Sequence, residues 1–412
     1  MNQDPMRFAR KTLLLPLMLA ACGEAPEPTL KGIALLPADR FVSGPTSGQF
    51  IEPANGRTPP FERRQPIGGF SALIDADGLG SYLALPDNGF GTRESSPDFV
   101  LRVYELLPVF RTPSGGPGSI EAAPAFVLRD PDGHIPFPIV ADLELYPGSD
   151  IPVDPLIRNG RLLTGADFDV ESFRLVADGT FYFGDEFGPF LLHTDAGGNL
   201  LEPPIPLPGV WSPQHPLLGD REPNAPRSGG FEAMALSVDE TRLYPMLERP
   251  LVGQEGQLNI YEFDLESRAY THSDPYDPPF KYRMDPKAVA VSEMTAVDEA
   301  RFLVIERDEG QGPTARWKRV FLVDFNQVDA EGFLIKTEVL DLLDFADPHD
   351  LSRTGTGRFT FPYETTEALV VLDGGLVGII NDNNYPFGLG RHVDVGQPDD
   401  SEFILVQMEP LP

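Results

Sequence analysis

Acidic side chains recur at two fixed places in a pattern that the chain repeats five times. In each copy an acidic residue or a serine opens a short apolar segment, and a second acidic residue ends the next apolar segment 13 to 16 residues later. The five pairs are Ser71 and Asp87, Glu171 and Asp185, Glu232 and Glu248, Glu293 and Glu306, and Glu367 and Asp382. A near-constant spacing inside repeats of unequal length is typical of a radial β-repeat.

These carboxylates predict a cation site. In a radial repeat the first strand of each blade lines the central channel, so the residues that open those strands should meet near its mouth, with Asp167 and Asp169 beside them. Several carboxylates cannot stay ionised together without cations, and flexible oxygen ligands favour Ca²⁺. The predicted metal ligands are Asp87, Asp167, Asp169, Glu171, Asp185, Glu232, Glu248, Glu293, Glu306, Glu367 and Asp382.

Two arginines, Arg249 and Arg307, directly follow acidic residues of the pattern. A phosphate ester would be repelled by an acidic site unless bound Ca²⁺ reversed the local sign and bridged its oxygens, with the guanidinium groups as charge clamps. The predicted catalytic residues are Glu171, Glu232, Glu293, Arg249 and Arg307. The alternative is structural, with Glu–Arg pairs joining adjacent blades and buried carboxylates accepting backbone N–H bonds.

Other hydrolytic chemistries have weaker signals. The segment around Ser71 lacks the last glycine of a Gly-x-Ser-x-Gly elbow, and the six histidines show no triad spacing. The sequence does not exclude a catalytic triad assembled from distant loops, because the loops of a propeller converge from far apart in sequence. With one cysteine and no His-x-x-x-His pair, a dedicated zinc site is not predicted.

Short strands and turns must position these residues. The 44 prolines and 40 glycines are scattered at turns, and no long amphipathic helical pattern is present. The sequence therefore predicts an all-β fold, a β-propeller with five clear repeats. The 100 residues between Ser71 and Glu171 leave room for a sixth blade. The isolated segment Leu30–Leu36 is expected to pair with Glu402–Met408 in the last repeat and close the ring, which removes exposed sheet edges.

The pattern of residues at the N-terminus predicts an export signal. Arg7, Arg10 and Lys11 precede a short apolar run, and Leu19-Ala20-Ala21-Cys22 is similar to a bacterial lipobox, in which the cysteine carries the lipid. This predicts a signal peptide over residues 1–21, a tether over 22–29 and one propeller domain over 30–412. Lipidation of Cys22 would anchor the protein to the membrane of the bacterial cell envelope, on its periplasmic or outer-membrane face. The alternative is an ordinary signal peptide.

The net charge of the chain is −31. Such a chain is not expected to bind nucleic acid or anionic lipid by charge, whereas it could bind cations. Solubility explains much of the charge, but it does not explain why acidic residues recur at fixed places.

The ordered motifs resemble those of the phytase-like, "esterase-like activity of phytase" family of exported bacterial proteins, over roughly residues 30 to 410. The matching segments are 68–72, 86–91, 167–172, 184–190, 230–234, 247–250, 292–295, 305–308 and 381–384. The resemblance implies an ester or phosphoester hydrolase. The leading hypothesis is metal-dependent phosphoester hydrolysis of a small molecule. The alternative is a membrane-anchored propeller that binds a ligand or partner without catalysis, and the third is a carboxylester hydrolase.

Overall fold

The computed structural model describes residues 26–76 and 78–408 of the 412-residue chain. Cys22 and the predicted signal peptide lie outside these residues, so the lipid anchor stays a prediction. No helix in the two described ranges has the length and apolar character needed to cross a membrane.

Nearly all regular structure in the described residues is β. The strands are β1 (Thr29–Leu36), β2 (Phe41–Ser43), β3 (Arg64–Pro66), β4 (Ala72–Asp75), β5 (Tyr82–Leu85), β6 (Arg102–Val109), β7 (Ser119–Val127), β8 (Val170–Leu175), β9 (Phe181–Asp185), β10 (Phe190–Thr194), β11 (Ile205–Pro206), β12 (Phe231–Leu236), β13 (Arg242–Leu247), β14 (Gln257–Ile260), β15 (Phe263–Asp264), β16 (Ala269–Tyr270), β17 (Phe280–Arg283), β18 (Ala290–Ala296), β19 (Arg301–Arg307), β20 (Lys318–Val328), β21 (Leu334–Asp341), β22 (Phe345–Ala346), β23 (Arg358–Phe359), β24 (Thr365–Leu372), β25 (Leu376–Asp382) and β26 (Ser401–Gln407). Helix α1 spans Pro155–Gly160, and 3₁₀ helices span Val140–Asp142, Gly312–Thr314 and Asp373–Gly375.

The strands form antiparallel groups that follow one another along the chain. The groups are β4–β7, β8–β11, β12–β17, β18–β21, and β24–β26 together with β1. Strand β1 also forms a short parallel pair with β7, which joins the first and last groups into one sheet. The first strands of these groups, β4, β8, β12, β18 and β24, contact one another in this order, and β24 contacts β4. The chain is therefore an all-β propeller, as its sequence predicts. Between β7 and β8, where the sequence left room for another blade, the regular elements are α1 and a 3₁₀ helix.

The two ends of the described chain meet in the last group. Strand β1 pairs antiparallel with β26, from Thr29 opposite Gln407 to Leu36 opposite Ser401. Leu30, Ile33 and Ala34 of β1 are buried. The pairing of these two segments is the one that the sequence predicts, and its apolar face makes β1 part of the core.

Aromatic side chains fill the space between neighbouring groups. In β8 and β9, Phe173 stacks on Phe183 with ring centroids 5.7 Å apart, and Phe181 lies 5.1 Å from Phe126 of β7. Phenylalanine suits this role because it buries a large apolar area without a polar atom that needs a partner. The packed groups hold the inner strands, and hence their first residues, in fixed positions.

Candidate metal-binding cavity

Four of the five inner strands carry a β-bulge at the same place, one or two residues after the strand begins. The register shifts at Glu171 in β8, Glu232 in β12, Ser292 in β18 and Glu367 in β24. A bulged residue has no partner on the neighbouring strand, so its side chain is re-aimed out of the regular alternation. Ser71, which directly precedes β4, takes the corresponding place in the first group.

A second ring position lies at the end of the following strand. Its occupants are Asp87, Glu186, Glu248, Arg307 and Asp382. Backbone bonds fix this position: the N–H of Glu186 donates to the carbonyl of Asp169, and the N–H of Glu248 donates to that of Gly230, both at 2.9 Å. The bulges and the strand ends thus bring side chains from all five groups to one mouth of the channel.

These side chains line a cavity of about 150 Å³. Its lining comprises Ser71, Asp87, Asn88, Gly91, Asp169, Glu171, Glu186, Ser228, Glu232, Glu248, Arg249, Arg307, Thr365, Glu367, Asp382 and Asn384. Eight of these residues are carboxylates and two are guanidinium groups, which leaves an excess of six negative charges if all are ionised. Such a small space cannot hold that excess without protons or cations.

Two triads of carboxylates have the spacing of cation ligands. Oxygens of Asp87, Asp169 and Glu171 lie within 4.8 Å of one another, as do oxygens of Glu171, Glu186 and Glu232. Glu171 belongs to both triads, so the two sites would share a ligand.

Several carboxylate oxygens at the cavity lack a hydrogen-bond partner within the described residues. They are Asp169 Oδ1, Glu186 Oε1 and Glu367 Oε2, on side chains that are at most 4% exposed. A buried polar atom without a partner is costly, so each requires a proton, a water or an ion. Hard oxygen ligands at this spacing fit Ca²⁺, whereas nitrogen and sulfur ligands are missing from the lining.

Arg307 is the buried cation of the ring. Its Nη2 lies 3.8 Å from Glu232 and 3.6 Å from Glu248, and its Nε lies 3.2 Å from Glu367 and donates to Ser292 Oγ at 2.9 Å. Burial alone would lower the pKa of Arg307, but the surrounding carboxylates raise it, so the guanidinium stays charged.

Arg249 lies closer to solvent, with 39% of its side chain exposed. Its Nε donates to Glu248 Oε2 at 2.8 Å. This bond fixes one edge of the guanidinium, and Nη2 lies 3.9 Å from the exposed Glu309.

Burial and mutual repulsion raise the pKa of the cavity carboxyls. Burial and then the charge of Asp169 raise the pKa of Asp87 to about 7. The pKa of Asp169 also rises to about 7, chiefly through burial, although a hydrogen bond with Glu171 opposes the shift. Burial and the neighbouring Glu232 hold the pKa of Glu171 well above its usual range. Without cations, the cavity therefore retains protons near neutral pH.

Two glycines of the sequence motifs allow the close approach of these segments. A Cβ on Gly69 would lie 1.9 Å from Asp382 Oδ1, and a Cβ on Gly230 would lie 2.5 Å from the carbonyl oxygen of Glu186. Only glycine fits at such distances, so each glycine directly shapes the cavity wall.

The structure corrects the placement of two predicted ligands at strand ends. Asp185 accepts from the N–H groups of Asp169 and Gly188, at 2.9 and 2.7 Å. Glu306 accepts from Tyr282 Oη at 2.6 Å and pairs with Lys336. Successive strand residues point to opposite faces, so the cavity position belongs to the next residue in each case.

Two further predicted ligands also lie away from the cavity. Glu293 pairs with Arg174 at 2.8 Å, because the bulge places Ser292 toward the ring instead. Asp167 accepts from the N–H groups of Val140 and Thr164, both at 2.8 Å. It therefore fixes the segment between β7 and β8. The other predicted residues, namely Asp87, Asp169, Glu171, Glu232, Glu248, Glu367, Asp382, Arg249 and Arg307, all line the cavity.

Sequence reasoning missed several lining residues. Glu186 stands beside Asp185, so the acidic pattern contained its position with a shift of one residue. Ser292, which is outside the lining but contacts Arg307, stands beside Glu293 in the same way. Asn88, Thr365 and Asn384 are uncharged and lie next to pattern residues, where only their proximity to those residues would have marked them.

Comparisons with known proteins give one family. A family model described as "Phytase-like: Esterase-like activity of phytase" matches residues 65–385. An "Uncharacterized secreted protein" of Arthroderma benhamiae is 25% identical, over 61% of this chain and 61% of that protein. The chain thus spans about three fifths of the length of that relative.

Solved propeller structures are also similar, at low identity. A luciferin-regenerating enzyme is 10% identical over 82% of this chain and 92% of its own, with a TM-score of 0.37. The WD40 propeller domain of Doa1 is 10% identical over 90% and 98%, with a TM-score of 0.35. The PQQ-bound aldose sugar dehydrogenase of Streptomyces coelicolor is 11% identical over 93% and 99%, with a TM-score of 0.32. Similarity at this level says nothing about activity.

Proposed function

The chain belongs to the phytase-like family, and on that premise we propose that it is an exported hydrolase that cleaves phosphoesters at the acidic cavity with Ca²⁺ as cofactor. The observation that carries the proposal is that each of the two ligand triads contains a buried carboxylate oxygen without a partner in the described residues, Asp169 Oδ1 in one and Glu186 Oε1 in the other. The secreted relative and the signal-like N-terminus support export.

The two triads would hold the cations. Asp87, Asp169 and Glu171 would form one site, and Glu171, Glu186 and Glu232 the other. Bound Ca²⁺ would supply positive charge that offsets the carboxylates and polarises a phosphoryl oxygen.

The arginines would bind the anionic substrate. Arg249 is the more exposed of the two, and Glu248 holds its Nε in place. Its Nη2 lies 3.9 Å from the exposed Glu309, a weak contact that a phosphoryl group could replace, because a guanidinium donates to two oxygens in a planar fork. Arg307 lies deeper, among three carboxylates, and would stabilise negative charge as it develops on the phosphoryl group.

Glu367 has the geometry of a general base. It belongs to neither triad, its Oε1 lies 3.2 Å from Arg307, and its Oε2 has no partner in the described part of the chain. Arg307 would orient the carboxylate, and Oε2 would accept the proton of a water that attacks phosphorus.

The test is hydrolysis of 4-nitrophenyl phosphate by the purified protein, with calcium and with a chelator. We expect turnover only with calcium. Glu171→Gln should lower kcat/KM at least about a hundredfold, because it removes a charged ligand from both triads. The matched control is Glu331→Gln, a carboxylate that is 70% exposed, pairs with Arg283 and lies outside the lining. Turnover that survives chelation would contradict the proposal.

The two alternatives predict different results. A ligand-binding propeller without catalysis would bind calcium and show no turnover with any ester. A serine carboxylester hydrolase has less support, because the described lining of the cavity contains Ser71 and Ser228 but no histidine.

A further inference from the structure

A second cavity, mostly apolar, lies beside the acidic one. Its volume is about 470 Å³, and its apolar lining includes Pro97, Pro138, Ile139, Leu143 and Pro147. The walls come from the segment between β7 and β8 and from the loop that follows β5. The size is within the range of small-molecule pockets.

The same chain segments build both cavities. Gly91 and Asp169 line the acidic cavity, whereas Arg93 and Asp167, each two residues away, line the apolar one. Consecutive Cα atoms are 3.8 Å apart, so the two walls approach within about 8 Å at these points. A small molecule that is bound in one cavity could reach the other only over this short distance.

A guanidinium group is held at the border between the cavities. Arg93 Nε donates to the carbonyl of Ala166 at 2.8 Å, and Nη1 donates to that of Gln214 at 3.1 Å. Its Cζ lies 5.7 Å from the ring centroid of Phe187, the residue after Glu186. These contacts fix the cation at the wall of the apolar cavity, two residues from Gly91 in the lining of the acidic one.

We propose that the apolar cavity takes the alcohol portion of the substrate, and that this portion is an aromatic or branched apolar group. The inference rests on the proposed function, because it assumes that the phosphoryl group occupies the acidic cavity. A substrate with several phosphates would instead place a second charge among prolines and aliphatic side chains, where Arg93 alone could pair with it and Glu94 would repel it. The substrate class is therefore a monoester that is anionic at one end and apolar at the other.

The test compares the binding of benzylphosphonate and methylphosphonate by calorimetry, in calcium. Neither can be hydrolysed, and they differ only in the apolar group. We expect benzylphosphonate to bind at least about tenfold more tightly, because burying an apolar group of this size is favourable. Leu143→Trp and Pro147→Trp fill the pocket and should abolish the preference without changing the Kd for methylphosphonate. The control, Leu145→Trp, is two residues away, 44% exposed and outside the lining.

The outcomes separate the two proposals. Equal affinities in the wild type, or a preference that both tryptophan variants retain, would overturn the apolar subsite. Benzylphosphonate binding that persists with a chelator and is lost in Leu143→Trp, with no binding of methylphosphonate, would support the pocket and contradict the metal-dependent function.

Discussion

Glu171→Gln distinguishes a metal site from a structural network of hydrogen bonds. Glu171 belongs to both triads and lies among carboxyls that repel its charge. Glutamine keeps the shape and removes the charge. For a metal ligand, the variant should be more stable than the wild type without calcium and should gain less stability when calcium is added.

The magnitude follows from mass action. At a calcium concentration one hundred times Kd, the wild type gains about 2.7 kcal/mol. If the substitution weakens binding a hundredfold, the gain at the same concentration is RT ln 2, about 0.4 kcal/mol. The apo variant is more stable because burial and neighbouring carboxyls hold the pKa of Glu171 well above its usual range, which disfavours the folded state at neutral pH, and glutamine removes that cost.

The assay is thermal and urea unfolding of the two proteins, each with calcium and with a chelator. Glu309→Gln serves as the control for loss of one charge near the mouth. A less stable apo variant with an undiminished calcium shift would refute the reasoning, because that result describes a structural hydrogen-bond acceptor.

Four further predictions follow from the same structure. In the presence of a chelator, the urea midpoint of unfolding should be higher at pH 5 than at pH 8. Burial raises the pKa of Asp87 and Asp169 in the folded protein to about 7. The stability that these carboxyls contribute is therefore full below their unfolded pKa and is lost as the pH rises through about 7. Arg307→Met should cost about 3–5 kcal/mol in urea unfolding without calcium, because Glu232 and Glu367 lose their buried cation and Glu248 keeps only Arg249. Calcium should restore part of the loss. Deleting residues 26–36 should lower Tm and cause aggregation measurable by light scattering, because the deletion removes β1 and exposes the edge of β26 with which it pairs. Cys22→Ala should move the protein from the membrane fraction to the soluble fraction of a detergent-free lysate, and an unchanged distribution would contradict the lipid anchor.

The repeat spacing was enough to predict most of the cavity. Glu171, Glu232 and Glu367 are bulged residues of β8, β12 and β24, and Asp87 and Asp382 occupy the second ring position. Their prediction needed only the knowledge that corresponding residues of a radial repeat face the same axis. The strand pairing of β1 with β26 was predictable for a similar reason, since an unpaired apolar strand needs a partner.

The errors come from features that the spacing does not contain. In the fourth group Ser292 occupies the bulge and Arg307 occupies the strand end. The two acidic residues of the pattern in that repeat, Glu293 and Glu306, therefore face away from the cavity. The sequence pattern does not distinguish an acidic residue at the ring position from one at the adjacent position, although their side chains point to opposite faces of the strand. Asp167 differs, because its partners, Val140 and Thr164, lie in an irregular segment whose path no periodicity predicts.

The pairing of β1 with β26 also has a consequence for biogenesis. Thr29 and Gln407 are neighbours in the sheet but lie 378 residues apart in the chain. The ribosome releases β1 long before β26, so the last blade cannot form until β26 has been synthesised. Until then β1 presents an apolar strand with an open edge, which makes the nascent chain dependent on protection from aggregation. Folding of the ring is thereby coupled to synthesis of β26, and products truncated before this strand should be recognised as unfolded.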